Sequence, residues 1–225
     1  MRAVRIGAAV AAAVLSAGSP ARSQASEPSR PAHVVLVGAS IGKAWDLPAF
    51  PARMHLSGVS FEYEGVFDFD KSPAVEALLA REAGRPDAIV LKECASYFPG
   101  DLARYETLLR SWIAASRAAG VVPIVATVSP VVRPRGIAER LRAMVKTRLL
   151  RRPDPAQQIR EYNDRLRRIA ADEALPLLDL EAALRVSESD RSLRPDLTSG
   201  DGLHLNAKAY ERLDAALAAL VSSRR

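Results

Sequence analysis

The 225-residue chain has a single cysteine, Cys94, which excludes an intramolecular disulfide and a cysteine-rich metal site. Its only histidines are His33, His55 and His204, and no pair has metal-ligand spacing, so no structural metal and no cofactor are expected. Aromatic residues make up just 5% of the chain, while alanine, leucine, valine and arginine dominate. That balance suits a helix-rich α/β domain better than a β-sandwich. The N-terminal apolar run, Ile6 to Leu15, falls short of the ~20 residues a membrane span needs. There is no internal repeat, and the length allows one good core rather than two comparable domains.

Positive charge is in excess, with a formal +6 and a pI near 9.8. Part of that excess lies in residues 1–25, which read as a secretory signal peptide. Arg2 and Arg5 form a basic n-region, Ile6–Leu15 an apolar stretch, and Ser23-Gln24-Ala25 a small-residue cleavage site. Loss of Arg2, Arg5 and Arg22 takes 32 basic residues to 29 against 26 acidic ones, leaving +3. The expected product is exported to the periplasm or the medium as a monomer. It has a flexible lead-in over 26–32 and one domain over 33–225. A nucleic-acid partner is not expected, because aromatics are sparse and the basic surplus is local.

Short apolar runs bounded by turn residues mark strands buried on both faces, as in a parallel sheet. They occur at His33–Gly38, Ala88–Leu91, Val121–Val128 and Leu175–Leu178, with a weaker candidate at Val59–Val66. Helical patterns alternate with them at Ser72–Ala83, Asp101–Ala119, Ala156–Ala174 and Asn206–Val221. The first of these begins Ser-Pro, which suggests Ser72 as its N-cap. The alternation predicts a doubly wound α/β sandwich.

In open parallel sheets the reactive groups lie beyond the carboxyl ends of the strands. The first strand ends Gly38-Ala39-Ser40, so Ser40 sits on the turn into a helix. There it is either a helix cap or a nucleophile backed by free backbone N–H groups. A neutral serine needs a base, and the imidazole needs a carboxylate to hold its tautomer. Asp201-Gly202-Leu203-His204, just before the last helix, offers both from one turn. The bland alternative makes Asp201 a cap of that helix.

Taken together, the strand-ending Gly-x-Ser and the Asp-Gly-Leu-His-Leu-Asn block resemble the SGNH (GDSL-like) hydrolase family. Tyr162-Asn163-Asp164-Arg165-Leu166, followed by Leu175–Asp179, is similar to that family's penultimate helix and strand. The resemblance runs from Val34 to Val221. It implies a three-layer flavodoxin-like sandwich with a five-stranded parallel sheet. It also implies ester hydrolysis through a Ser40–His204–Asp201 triad, by way of an acyl-enzyme. Two family blocks are altered. Ala39 stands where the family has an acid that is not the triad member. Lys92-Glu93-Cys94-Ala95-Ser96 replaces the block whose asparagine donates to the oxyanion, which puts Ser96 at that position and Gly65 at the second donor. Lys92 and Glu93 either line the pocket or pair with each other.

Residues 133–152 hold eight basic side chains against Glu139, with Ile137, Leu141, Val145 and Leu149 on one helical face. They read as a solvated helix or as a cationic contact to an anionic lipid or glycan. Two other functions remain open. A catalytically silent binding domain for an acylated glycan or lipid would account for the altered oxyanion blocks. A dinucleotide-binding turn at VVLVGASIG has Gly38 and Gly42 but lacks the rest of its fingerprint.

Overall fold

The computed structural model describes residues 32–133 and 153–222, together with the isolated positions 136, 137, 141 and 145. The signal segment 1–25, nearly all of the lead-in and most of the basic 133–152 stretch lie outside the described residues.

Five strands form one sheet: β1 (His33–Gly38), β2 (Ser60–Gly65), β3 (Ala88–Leu91), β4 (Val122–Ala126) and β5 (Leu177–Leu178). Their order is β2-β1-β3-β4-β5, and every pair is parallel. This is the flavodoxin-like order, with the switch point between β1 and β3. Strand alternation sorts the core into two. Val34, Leu36, Val90, Ile124 and Leu178 face one side, while Val35, Val37, Ile89, Leu91 and Val125 face the other. The first face is covered by α1 (Ser40–Ala44) and α7 (Ala207–Ser222), and α2 (Phe50–Arg53) adds Phe50 to it. On the second face lie α3 (Ser72–Leu79), α4 (Leu102–Ala118) and α5 (Pro155–Asp172). A short α6 (Leu180–Leu184) follows β5.

The edges are protected in two ways. β2 carries Glu62 and Glu64 on either side of Tyr63, so its free side is charged, and β5 is only two residues long. Both devices discourage pairing with another chain. α4, α5 and α6 start where carboxylates cap them. Asp101 accepts from Ala103 N and Arg104 N at 3.1 Å, and Asp154 accepts from Ala156 N at 3.0 Å.

Several expected boundaries shift. Ser72 is not the cap of α3 but its first residue. Lys71 holds the cap position, and Asp70 Oδ1 accepts the Ser72 N–H at 3.0 Å. Leu175 stays out of β5 because its N–H closes the end of α5 on Ala170 O at 2.8 Å. β4 ends early because Val128 gives both backbone groups to the Asn163 side chain, at 2.7 and 2.9 Å.

Candidate active site

All five strands point their carboxyl ends to one edge, so the segments leaving them assemble the site. Ser40, separated from β1 by Ala39 alone, is half-buried and opens α1. Its turn is held from behind. The Tyr63 hydroxyl donates to Gly38 O at 3.1 Å and Ala39 O at 3.0 Å. Any side chain at Gly42 would meet the Tyr63 ring at 2.6 Å and Leu36 Cδ2 at 2.8 Å. The Gly38–Gly42 spacing is therefore a packing device that lets α1 lie against β1 and β2, not a cradle for a dinucleotide. The Ser40 hydroxyl is engaged by no hydrogen bond to a described residue.

Asp201 and His204 lie on a turn closed by Ser199 N donating to His204 O at 2.9 Å and by a Thr198–Leu205 bridge. Asp201 Oδ2 bonds His204 Nδ1, while Asp201 Oδ1 accepts from Leu203 N at 2.9 Å and His204 N at 2.8 Å. The His204 side-chain bond, followed by these backbone N–H groups, holds the Asp201 carboxyl well below the usual carboxylate range. With Nδ1 on the carboxylate, Nε2 is the ring nitrogen left to exchange a proton. Asp201 does not cap α7. That role falls to Asn206, whose Oδ1 accepts from Ala209 N at 3.2 Å.

The turn docks on the segment leaving β4, where Val132 N donates to Gly202 O at 3.3 Å. Gly202 has φ +78°, and a Cβ there would strike Val132 Cγ2 at 2.6 Å, so glycine is required. The same segment is clamped by Asn163, which bonds the fully buried Glu181 at 3.1 Å. Glu181 in turn is bonded by Arg167 and Arg191, each at 2.7 Å. Ser40 and the Asp201–His204 pair thus stand on the same edge of the sheet, one at the exit of β1 and the other on the exit of β4. Among the described residues no hydrogen bond joins them.

The oxyanion candidates come from the exits of β2 and β3. Ser60 N and Val66 N donate to Ala32 O and Gly38 O, and the alternation of the ladder leaves the Gly65 N–H off it. The exposed Ser96 points its hydroxyl at Cys94 Sγ, 3.1 Å away. Lys92 and Glu93 do not pair through their side chains. Both are buried, and Glu93 bonds Lys71, itself fully buried beneath the rings of Phe69, Tyr97 and Trp112 at 5.2, 5.2 and 5.7 Å. Lys92 Nζ donates instead to Glu93 O at 2.9 Å. Burial pushes Glu93 up to about 7 and Lys92 down to about 8. Sequence reasoning missed Lys71, Tyr63, Asn163 and Glu181. A lysine following alternating aspartates and an aromatic (Asp68-Phe69-Asp70-Lys71) was the one local hint. Among the described residues no group of three histidine, cysteine or carboxylate side chains could hold a metal ion.

No protein-family model matches the chain, and no curated protein matches its sequence. Solved structures do share its fold. A GDSL-like lipase from Bacteroides thetaiotaomicron superposes with a TM-score of 0.63 at 16% identity, covering 85% of this chain and 88% of the other. A candidate SGNH hydrolase from Slackia heliotrinireducens gives 0.59 at 20% identity, over 84% and 97%. A psychrotrophic esterase from Pseudoalteromonas, in a structure inhibited by monoethylphosphonate, gives 0.57 at 13% identity, over 85% and 97%. The chain shares the five-stranded fold of these hydrolases.

Proposed function

We propose that this protein is an exported serine hydrolase that cleaves an O-acyl ester, with Ser40 as nucleophile, His204 as general base and Asp201 as its orienting acid. The observation that supports this reading is the bonded Asp201–His204 pair, on a turn docked against the segment that follows β4, with Ser40 at the exit of β1, in a fold shared with lipases and esterases.

Ser40 Oγ attacks the acyl carbonyl as His204 Nε2 takes its proton, and Asp201 stabilises the imidazolium. His204 then protonates the departing alcohol. Water, deprotonated by the same nitrogen, releases the acid and restores Ser40. The Gly65 N–H and the Ser96 hydroxyl are the donors to the oxyanion, and Ser96 must turn away from Cys94 to serve. Losing one such donor costs about 10²–10³ in rate. The N-terminal pattern of residues 1–25 supports export. The basic 133–152 segment is a candidate contact for an anionic surface.

A second reading, a silent binding domain for an acylated glycan or lipid, is favoured by one contact, the Ser96 hydroxyl committed to Cys94. Hydrolysis of p-nitrophenyl acetate by the wild type and by Ser40→Ala separates the two. Turnover that vanishes with Ser40 supports the hydrolase, and equal rates in both proteins, at the level of buffer, support the binder.

A further inference from the structure

Ser40 and His204 belong to segments remote in sequence, yet each lies at the amino end of a helix, and one carboxylate ties those helices together. Asp214 stands on α7, two turns past its start, and is 6% exposed. Its Oδ1 accepts from Trp45 Nε1 at 2.7 Å, and Trp45 is the residue that ends α1, which Ser40 begins. Arg53, at the end of α2, adds a two-pronged contact, Nε to Oδ2 at 2.7 Å and Nη2 to Oδ1 at 3.0 Å. The same guanidinium binds Trp45 O at 3.1 Å and Asp46 O at 2.9 Å, so it also holds the chain leaving α1. Asp46 Oδ2 stands 3.8 Å from Arg53 Nη1.

Apolar packing alone would keep α1 and α7 adjacent while leaving their relative slide and rotation soft. Three directional bonds to one largely buried carboxylate fix both. Burying a carboxylate is costly unless it is paired, and the partners of this one lie on the Ser40 side of the fold. We propose that Asp214 is a positioning residue that sets Ser40 against His204, acting through Trp45 and Arg53. The proposal rests on the Ser40–His204 reading above.

The test is a double-mutant cycle on ester hydrolysis. It uses wild type, Asp214→Asn, His204→Ala and the double variant, with rates expressed per folded protein from denaturant titration. A misplacement of about 1 Å costs about 10²-fold. The expected result is a kcat loss of that order in Asp214→Asn with KM little changed. In that background His204→Ala should lose at least about tenfold less than it does in the wild type. A merely structural Asp214 would lower the folded fraction and leave the two losses multiplying independently, which overturns the proposal. Should Asp214→Asn fail to fold, the same cycle on Trp45→Phe, which drops only the Nε1 bond, decides between the same two outcomes. A wild type indifferent to His204→Ala would overturn the Ser40–His204 reading and the proposal with it, an outcome distinct from additivity.

Discussion

The two sides of the candidate site are built by opposite means. The Asp201–His204 turn is half exposed, and its carboxylate is satisfied within three residues by the His204 ring and two N–H groups. The segment after β3 opens with two buried charges, and Glu93 finds its counter-ion from afar: its Oε2 bonds Lys71, 22 residues away, beneath three aromatic rings. In the proposed mechanism the first moves protons, and its half-exposed side chains are open to water. The second is an anchor that ties the exits of β2 and β3 together and stays out of reach of solvent. Variants on the first should therefore change rate and spare stability, and variants on the second should do the reverse.

The sharpest way to break that contrast is Asp201→Asn. The amide cannot hold the imidazole tautomer or stabilise its charged form, so kcat should fall by about 10⁴-fold. The melting temperature should stay near that of the wild type, because the side chain is exposed. A comparable loss of stability would erase the distinction.

Lys71→Met is the converse experiment. It leaves the Glu93 carboxyl buried without its cation, and the expected cost is about 3–5 kcal/mol of unfolding free energy. Urea titration should show a lower midpoint with an unchanged slope. The fraction that remains folded should keep most of its esterase rate.

Lys92 supplies a pH signature. Its folded value of about 8 lies below the ordinary 10.5, because burial disfavours the charged ammonium. The native state thus binds fewer protons than the unfolded chain between those values, and this group makes stability rise with pH from about 8 to about 10.5. Below about 8 the ammonium is charged in both states and the burial cost is fully present. Lys92→Met should remove that rise, on the order of 3 kcal/mol. The subtraction of wild-type and variant curves isolates it from the tyrosines, whose raised values act in the opposite sense. Identical slopes in the two proteins would contradict a lowered Lys92 value.

The same contrast explains what was legible in the sequence. β1 and β3 could be read because strands buried on both faces are continuous apolar runs, and Asp201–His204 because its chemistry is contained in one turn. The anchor could not be read. Neighbouring residues on an extended strand point to opposite faces, so Lys92 and Glu93, adjacent in sequence, are poor partners. Glu93 finds its lysine only where the start of α3 meets the exit of β3. Likewise, Asn163 reads in the sequence only as part of the Tyr162–Leu166 stretch that resembles the family's penultimate helix, whereas it terminates β4 by taking the Val128 backbone. The limits of β4 and β5 are set by such side-chain and helix-end bonds, which leave no periodic trace. The short α1, α2 and α6 carry too few turns for periodicity to reveal them.

The claim on which everything else depends is that His204 activates Ser40. Mass spectrometry of protein treated with a fluorophosphonate ester measures this directly, as the rate at which the Ser40-containing peptide gains a single phosphonyl group. The account predicts one adduct, confined to Ser40 and slowed by at least about 10²-fold in His204→Ala. An unmodified Ser40, or equal labelling rates with and without the imidazole, would contradict it.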